Sequence, residues 1–299
     1  MHTCHANDHT YIMPTRNGRE GNEERERIMK LYVLDNGVLD LDLMWLVLNP
    51  TPATVDNKNP ENQWVTIPTY TVLIEHPQLG YVLFDGTCHP EWDNRWPEEL
   101  RPVFPYSAEE SQYLPQQLEA LNLKMSDIDI VVISHLHLDH CGCLDFFRGT
   151  KAGQRGIIVH DKELGHSLKV THTGPADFAG AYVRGEFDMP NLNYELMVGP
   201  HLELAPDLHL HHWPGHTPGL IGMVAHTEHS GTFIFTSDAV YLERNIKDWV
   251  LSGIVYDTVA YFNSMYDIKQ MTRKYDATMG YGHDMDKFNA LKKAPEYYE

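Results

Sequence analysis

Four side chains that can bind metal ions lie within six consecutive residues of this sequence. They are His135, His137, Asp139 and His140, in the pattern His-x-His-x-Asp-His, called here the four-ligand motif. On an extended segment His135 and His137 share one face, because alternate residues point the same way, and together they can hold one cation. After the chain turns, Asp139 and His140 can hold a second cation. Neither packing nor solubility requires four such groups together, so the motif predicts half of a two-metal site.

Three further candidate ligands follow later in the chain, each just after a predicted strand. His216 lies in a stiff Pro-Gly-His-Thr-Pro-Gly turn, Asp238 ends the segment Phe-Ile-Phe-Thr-Ser-Asp, and His283 follows Met-Gly-Tyr-Gly. A carboxylate at a buried strand end is costly unless it is paired or metal-bound, and its two oxygens can bridge two cations. Imidazole and carboxylate suit Zn²⁺, and also Fe²⁺, Mn²⁺ or Co²⁺. We therefore predict seven ligands for two divalent cations, with zinc as the first choice.

The elements that must position these ligands are apolar strands. Residues 128–133, before the four-ligand motif, form an apolar, β-branched run that is typical of a strand buried on both faces. The remaining patterns predict strands at 64–75, 80–84, 156–160, 202–213, 220–226, 232–236 and 277–281, and helices at 161–170 and 261–274. Asn36-Gly37, between the apolar runs 30–35 and 38–48, is a strong hairpin signal. Strands interleaved with helices indicate a layered α/β protein.

Composition limits the classes of function and partner. The chain has 299 residues and a formal net charge of −19, which disfavours nucleic acid and anionic membrane surfaces as partners. Four cysteines in this length do not make a disulfide scaffold. No apolar run reaches transmembrane length and no signal-peptide core is present, so a cytoplasmic location is expected. We expect a polar N-terminal arm at 1–28 and a single domain at 29–299, with a possible lid insertion at 171–200.

From about residue 30 onward the sequence resembles the metallo-β-lactamase superfamily, and within it the N-acyl homoserine lactone lactonases. The resemblance is carried by Ser134 with the four-ligand motif, by the turn around His216, by Thr-Ser-Asp238 followed by Tyr241, and by Gly-His283-Asp. It implies an αββα sandwich with a dinuclear metal site at one edge of the sheets. Asp85, after Tyr-Val-Leu-Phe, matches an aspartate that supports the site from behind its ligands.

The resemblance also implies a role for each candidate residue. The residues expected to hold one cation are His135, His137 and His216, those expected to hold the other are Asp139, His140 and His283, and Asp238 would bridge the two together with a hydroxide. The implied reaction opens the lactone ring of a small molecule, an N-acyl homoserine lactone. Tyr241 would stabilise the oxyanion, and Asp139 would carry a proton to the leaving alkoxide. The protein is expected to be a monomer or a homodimer.

The acyl chain of such a substrate needs an apolar surface near the metals. The candidates in the sequence are Met44, Trp45, Phe104, Tyr106, Phe146 and Phe147. Each would equally serve as an ordinary core residue.

Other functions remain open at this stage. A glyoxalase II-like thioester hydrolase shares the seven ligands, and other lactone or ester hydrolases of the same superfamily are further alternatives. A protein that binds metal without catalysis would instead favour closed four-ligand sites.

Overall fold

Two β-sheets form the centre of the molecule. The structure, a computed structural model, describes residues 28–174 and 176–299. Its strands are β1 (Lys30–Asp42), β2 (Trp64–His76), β3 (Gly80–Phe84), β4 (Tyr106–Ser107), β5 (Ile128–Val132), β6 (Ile157–His160), β7 (Phe178–Ala179), β8 (Tyr182–Val183), β9 (Tyr194–Met197), β10 (His201–Ala205), β11 (Leu208–His212), β12 (Ile221–Thr227), β13 (Gly231–Ser237) and β14 (Thr278–Tyr281).

The two sheets differ in strand direction. The first has the order β4-β1-β2-β3-β5-β6-β9, with β1 to β3 antiparallel and β3, β5, β6 and β9 parallel. The second has the order β10-β11-β12-β13-β14, antiparallel except for the parallel pair β13–β14. Strands β7 and β8 form a separate small ribbon. Because β5, β13 and β14 each end in a candidate ligand segment, this topology decides where those segments meet.

The core between the sheets is built from alternate residues of facing strands. Val33 and Val132 of the first sheet share one buried cluster with Met223 and Phe235 of the second. On β5 the next residue to Val132, Val131, points to the opposite face of the sheet and packs in a separate buried cluster. Strand β5 is therefore buried on both faces, as its composition predicts, and each such side chain contributes about 1.5–3 kcal/mol by leaving water.

Helices pack around the two sheets. They are α1 (Trp92–Arg95), α2 (Leu114–Ala120), α3 (Leu138–Cys141), α4 (Lys151–Arg155), α5 (Asp161–Thr173), α6 (Arg184–Phe187), α7 (Glu243–Asp248), α8 (Thr258–Tyr275) and α9 (Met285–Ala290). Helix α8 buries Tyr261, Met265 and Ile268, one helical stripe, against the second sheet. Leu114 and Leu118 of α2 pack on the first sheet. The predicted αββα sandwich is confirmed.

The predicted hairpin at Asn36-Gly37 is wrong. Residues 30–42 form the single strand β1, which pairs with β2 on both sides of this dipeptide and shifts register at it. Gly37 has φ +90°, and its N–H donates to the Asp35 carboxylate. The Asn36 carbonyl accepts a hydrogen bond from the Tyr106 hydroxyl. The positive φ that favours a hairpin turn serves a β-bulge here, because both halves of the strand find partners in β2.

The remaining differences from the predicted elements are local. The predicted strand at 202–213 is two strands, β10 and β11, joined by a tight turn. The segment 171–200, predicted as a lid, contains β7, β8 and α6 and ends in β9, an edge strand of the first sheet. The predicted N-terminal arm lies outside the described residues except for Ile28. In the described part of the chain, no helix combines the length and the apolar character that crossing a bilayer requires.

Candidate metal centre

The candidate ligands come from both sheets and meet at one edge of the sandwich. The four-ligand motif follows β5, and His137 precedes the short helix α3, which carries Asp139 and His140. His216 lies between β11 and β12, Asp238 follows β13, and His283 follows β14. Carboxyl ends of neighbouring strands converge in this way wherever α/β folds build their sites.

Three histidines form the first group of ligand atoms, called here the three-histidine group. Nε2 of His135, Nδ1 of His137 and Nε2 of His216 lie 3.0–3.2 Å from one another. Ligand atoms about 2.0–2.1 Å from a tetrahedral zinc ion are separated by about 3.3 Å. The Asp238 Oδ2 atom completes the group, 3.5 Å from His135 and 3.4 Å from His216. Three imidazoles and a carboxylate at these separations fit a divalent cation.

The second group, called here the mixed group, consists of Asp139, His140 and His283. Nε2 of His140 and of His283 lie 3.5 Å and 3.6 Å from Asp139 Oδ2. The other carboxylate oxygen of Asp238, Oδ1, is 3.3 Å from His140 and 3.2 Å from His283. The two oxygens of Asp238 therefore face different groups, as a bridging carboxylate must.

Two buried polar atoms, one in the mixed group and one on the Asp238 oxygen that faces it, have no hydrogen-bond partner. They are Nε2 of His140 and Oδ1 of Asp238. Buried polar atoms are nearly always satisfied, and a pair left unsatisfied at one point requires an explanation. A cation between them would satisfy both atoms. The two unsatisfied atoms therefore support a metal ion here, in addition to the chemical types of the ligands.

The outward nitrogens of two ligand histidines fix the tautomer of each ring. Nδ1 of His216 is 3.1 Å from the Ile254 carbonyl, and Nδ1 of His283 is 3.1 Å from the Pro68 carbonyl. Because a carbonyl can only accept, Nδ1 carries the hydrogen in both rings. The lone pair of Nε2 is thus directed into the site, the arrangement that metal-binding histidines require.

Asp85 holds the four-ligand motif from behind. Its Oδ1 accepts the backbone N–H of Ser134 at 2.7 Å, and its Oδ2 lies 2.9 Å from Nδ1 of His140. One carboxylate thereby fixes both the start of the motif and the orientation of a ligand ring. The family resemblance implied a supporting position of this kind for Asp85.

The two groups differ in their affinity for protons. Burial and the neighbouring imidazoles lower the pKa of His135 and His137 well below the usual range, so these rings are neutral at pH 7. Burial also lowers the pKa of His140, but Asp238, Asp139 and Asp85 reverse this effect and raise it well above the usual range. A cation in the mixed group would take the place of protons.

Tyr241 lies beside both groups. Its ring stacks on His283 with centroids 5.2 Å apart and meets His216 edge-on at 5.5 Å. Its hydroxyl is 3.4 Å from Nδ1 of His216. Burial and the charge of Asp238 raise the pKa of this phenol well above 10, so it remains a hydrogen-bond donor at neutral pH.

A pocket opens over the ligands and has two distinct sides. The polar side consists of His137, Asp139, Asp238, Tyr241 and His283, and the apolar side of Leu39, Leu41, Trp45, Leu46, Ile67, Phe104, Leu138, Ala181 and Ile254. It encloses about 420 Å³ of empty space, part of it at the open mouth. A molecule with a polar head and an apolar tail matches this division.

The structure brings only part of the predicted apolar surface to this pocket. Trp45 and Phe104 line it, with ring centroids 5.3 Å apart. Four other candidates, Met44, Tyr106, Phe146 and Phe147, do not line it. Phe147 is fully buried in the core on the outer face of the first sheet. Phe146 stacks on His89 instead.

Sequence reasoning missed most of the apolar wall. Leu39 and Leu41 of β1 and Ile67 of β2 face the pocket. Their alternation with polar residues predicts that they share a face of a strand, but it does not show which face the site occupies. Glu163, a fully buried carboxylate in the first turn of α5, was also missed. An acidic residue there is so common on exposed helices that it gives no signal.

Comparisons with known proteins agree with this geometry. The family model described as metallo-beta-lactamase superfamily matches residues 65–283. The N-acyl homoserine lactonase AiiB of Rhizobium rhizogenes is 30% identical in an alignment 281 residues long, which covers 90% of this chain and 99% of that protein. A structure of a quorum-quenching N-acyl homoserine lactone hydrolase has a TM-score of 0.73 at 26% identity, covering 91% of this chain and 98% of the other.

A second solved structure shows the same fold. It is an N-acyl homoserine lactone hydrolase with the product N-hexanoyl-L-homoserine bound at its catalytic metal centre. Its TM-score is 0.75 at 24% identity, and the match covers 91% of this chain and 99% of that chain. The similarity in fold thus extends over both sheets.

Replacing Asp238 with asparagine is expected to lower the metal content of the purified protein. The change removes the negative charge and one of the two oxygens that face separate groups, so affinity should fall by on the order of 10- to 100-fold. We expect two metal equivalents in the wild-type protein and fewer in Asp238→Asn, measured by elemental analysis after dialysis. Asp207→Asn is the control, because Asp207 bonds His76 away from the site. Equal metal contents in all three proteins would contradict the bridging role.

Proposed function

This chain belongs to the metallo-β-lactamase superfamily, and from that premise we propose that it is a hydrolase that opens the lactone ring of N-acyl homoserine lactones. The observation that carries the proposal is the division of the pocket into a polar and an apolar side. The lactone and amide of such a substrate are polar and its acyl tail is apolar. With the tail along the apolar side, the lactone lies beside the ligand atoms.

Two divalent cations are the cofactors that we propose, with zinc favoured and iron, manganese or cobalt as alternatives. The three-histidine group would hold one, the mixed group the other, and Asp238 would bridge them. When bound, the pair supplies a hydroxide at neutral pH and polarises the lactone carbonyl. This support comes from the donor set, the ligand spacing and the unsatisfied atoms of the mixed group.

The positions of Tyr241 and Asp139 support the roles that we propose for them. Both line the pocket beside the ligand atoms. The Tyr241 hydroxyl is a neutral donor that can stabilise the oxyanion as the carbonyl is attacked. The Asp139 side chain lines the pocket and is 14% exposed, so it can pass a proton to the alkoxide that leaves when the ring opens.

The apolar side of the pocket would contribute binding of the acyl tail. Each methylene that leaves water contributes up to about 0.8 kcal/mol. Trp45 and Phe104 present a tilted ring pair, and Leu39 and Leu41 add branched side chains from β1. We therefore infer that affinity rises with acyl length until the tail extends past Trp45.

A thioester hydrolase of the glyoxalase II type is the second candidate considered from the sequence. That reading requires basic residues for the carboxylates of glutathione in a C-terminal helical region. Each of the three lysines after β14 already has a partner. Lys287 pairs with Glu243 at 2.7 Å, Lys292 donates to the Tyr297 carbonyl, and Lys293 donates to the carbonyls of Phe288 and Leu291. The C-terminal region therefore supports the lactonase reading better.

A hydrolysis panel tests the proposed reaction. With zinc-loaded wild-type protein, we expect N-acyl homoserine lactones to be opened with kcat/KM at least about 100-fold above thioesters and β-lactams. The physical reason is that binding energy from the acyl tail and oxyanion stabilisation act together only on the matching substrate. Acid release from each substrate is the measurement. Preferential hydrolysis of the thioester would favour the second candidate and contradict the first.

Removal of the Tyr241 hydroxyl tests its role in catalysis. Tyr241→Phe is expected to lower kcat by about 10- to 1000-fold with little change in metal content, because one oxyanion donor is lost and no proposed ligand is changed. Steady-state kinetics and elemental analysis measure the two effects. Tyr106→Phe is the matched control, since this hydroxyl bonds the Asn36 carbonyl outside the pocket. An unchanged kcat in Tyr241→Phe would remove the residue from the mechanism.

Acyl-chain preference tests the apolar side of the pocket. In Trp45→Ala we expect kcat/KM for long-chain substrates to fall about 3- to 10-fold more than for short-chain ones, because the lost ring contacts only the distal tail. Phe146→Ala is the control, since Phe146 packs on His89 and does not line the pocket. A series of substrates of increasing acyl length provides the profiles. Parallel profiles for Trp45→Ala and wild type would contradict this placement of the tail.

A further inference from the structure

Glu163 is a buried carboxylate that neither the proposed reaction nor the ligand set uses. It lies in the first turn of α5 and has no exposed surface. Two backbone N–H groups and a tyrosine hydroxyl donate to it, and all three come from segments around the three-histidine group. Burying a carboxylate among neutral donors costs free energy of folding. The groups that it binds therefore indicate its role.

The first partner belongs to the four-ligand motif. The N–H of Leu136 donates to Oε1 of Glu163 at 3.0 Å. Leu136 is fully buried and stands between His135 and His137. Fixing its peptide group therefore fixes the backbone on both sides, from which two of the three imidazoles project.

The second partner belongs to the turn that carries His216. The N–H of Gly219 donates to Oε2 of Glu163 at 3.1 Å. A Cβ atom on Gly219 would lie only 2.3 Å from the backbone nitrogen of Glu163, so the turn rests directly on the start of α5. The two oxygens of one carboxylate thus hold two loops that are 83 residues apart in sequence, as Leu136 and Gly219.

The third partner is Tyr182, from the ribbon formed by β7 and β8. Its hydroxyl donates to Oε1 of Glu163 at 2.8 Å. Its ring meets the His137 ring edge-on, with centroids 4.5 Å apart. Glu163 therefore also orients the side chain that packs against a ligand imidazole.

We propose that Glu163 is a positioning residue that sets the spacing of the three-histidine group by bracing both of its loops. The inference rests on the proposed two-metal centre. Its effect is confined to one half of that centre, because the mixed group has other supports. His140 is held by Asp85 and His283 by the Pro68 carbonyl.

Glutamine cannot replace Glu163 in this role. Leu136 and Gly219 each present an N–H donor to a different oxygen of the carboxylate. The amide of glutamine has one oxygen, so in either orientation its NH₂ group faces a backbone N–H. One loop must move away, although the size and shape of the side chain are unchanged.

Chelator-driven metal release tests the proposal. In zinc-loaded Glu163→Gln, we expect one of the two equivalents to be released about 10- to 100-fold faster than in wild type, and the other at the wild-type rate. A chromogenic chelator measures both phases. In cobalt-loaded protein, the visible absorption of the three-histidine group should shift with the same variant. These measurements are independent of any substrate.

Glu186→Gln is the matched control. Glu186 is equally buried, with 1% exposure, but its carboxylate is bonded by the Arg95 guanidinium and not by Leu136 or Gly219. This variant should release both equivalents as wild type does, even if it unfolds at lower temperature. If Glu163→Gln fails to fold, Gly219→Ala replaces it, because the added methyl group displaces the same turn from α5. Faster release of one equivalent is then expected in Gly219→Ala.

Three results would overturn the inference. They are wild-type release in Glu163→Gln, equal acceleration of both equivalents, and the same acceleration in Glu186→Gln. Fewer than two equivalents in the wild-type protein would contradict the proposed cofactors as well. A failure of lactone hydrolysis with normal, selective release would contradict the proposed substrate alone.

Discussion

The burial of one carboxylate among four imidazoles is the interaction on which this structure depends. The Asp238 side chain is 3% exposed, and each of its oxygens faces a different ligand group. Although burial raises the pKa of this carboxyl group, His140 and His283 lower it well below the usual range. An isolated carboxylate at this depth would be strongly destabilising. The fold must therefore place the histidines around Asp238, which requires the ends of the strands that carry them to lie close together.

The two sheets meet that requirement together. The first sheet contributes the four-ligand motif after β5, and the second contributes His216, Asp238 and His283. At this edge a backbone hydrogen bond links the two sheets, from the Ile221 N–H to the Ser134 carbonyl at 2.8 Å. The site is thus part of the interface between the two layers. Small changes in how the layers pack would alter the ligand spacing directly.

The sequence predicted the features that depend on local pattern. The β-branched run before the four-ligand motif is a doubly buried strand, as predicted. The order of elements predicted a layered α/β protein, and the family resemblance implied the αββα arrangement of its layers. Contacts between distant segments were harder to predict. Asn36-Gly37 has the composition of a turn, but pairing with β2 on both sides makes it a bulge. Phe147 and Trp45 are both large and apolar, and only the packing of the layers decides which one lines the pocket. The same limit applies to Glu163.

The contribution of ligands from both sheets has a consequence for biosynthesis. As the ribosome extends the chain, the histidines after β5 emerge well before Asp238 and His283. The nascent first sheet would expose imidazoles without the carboxylate that links the two groups. The apolar inner face of this sheet would also remain exposed until the second sheet packs on it. Neither ligand group is complete before the second sheet docks, so we expect cation loading to be a late event in maturation.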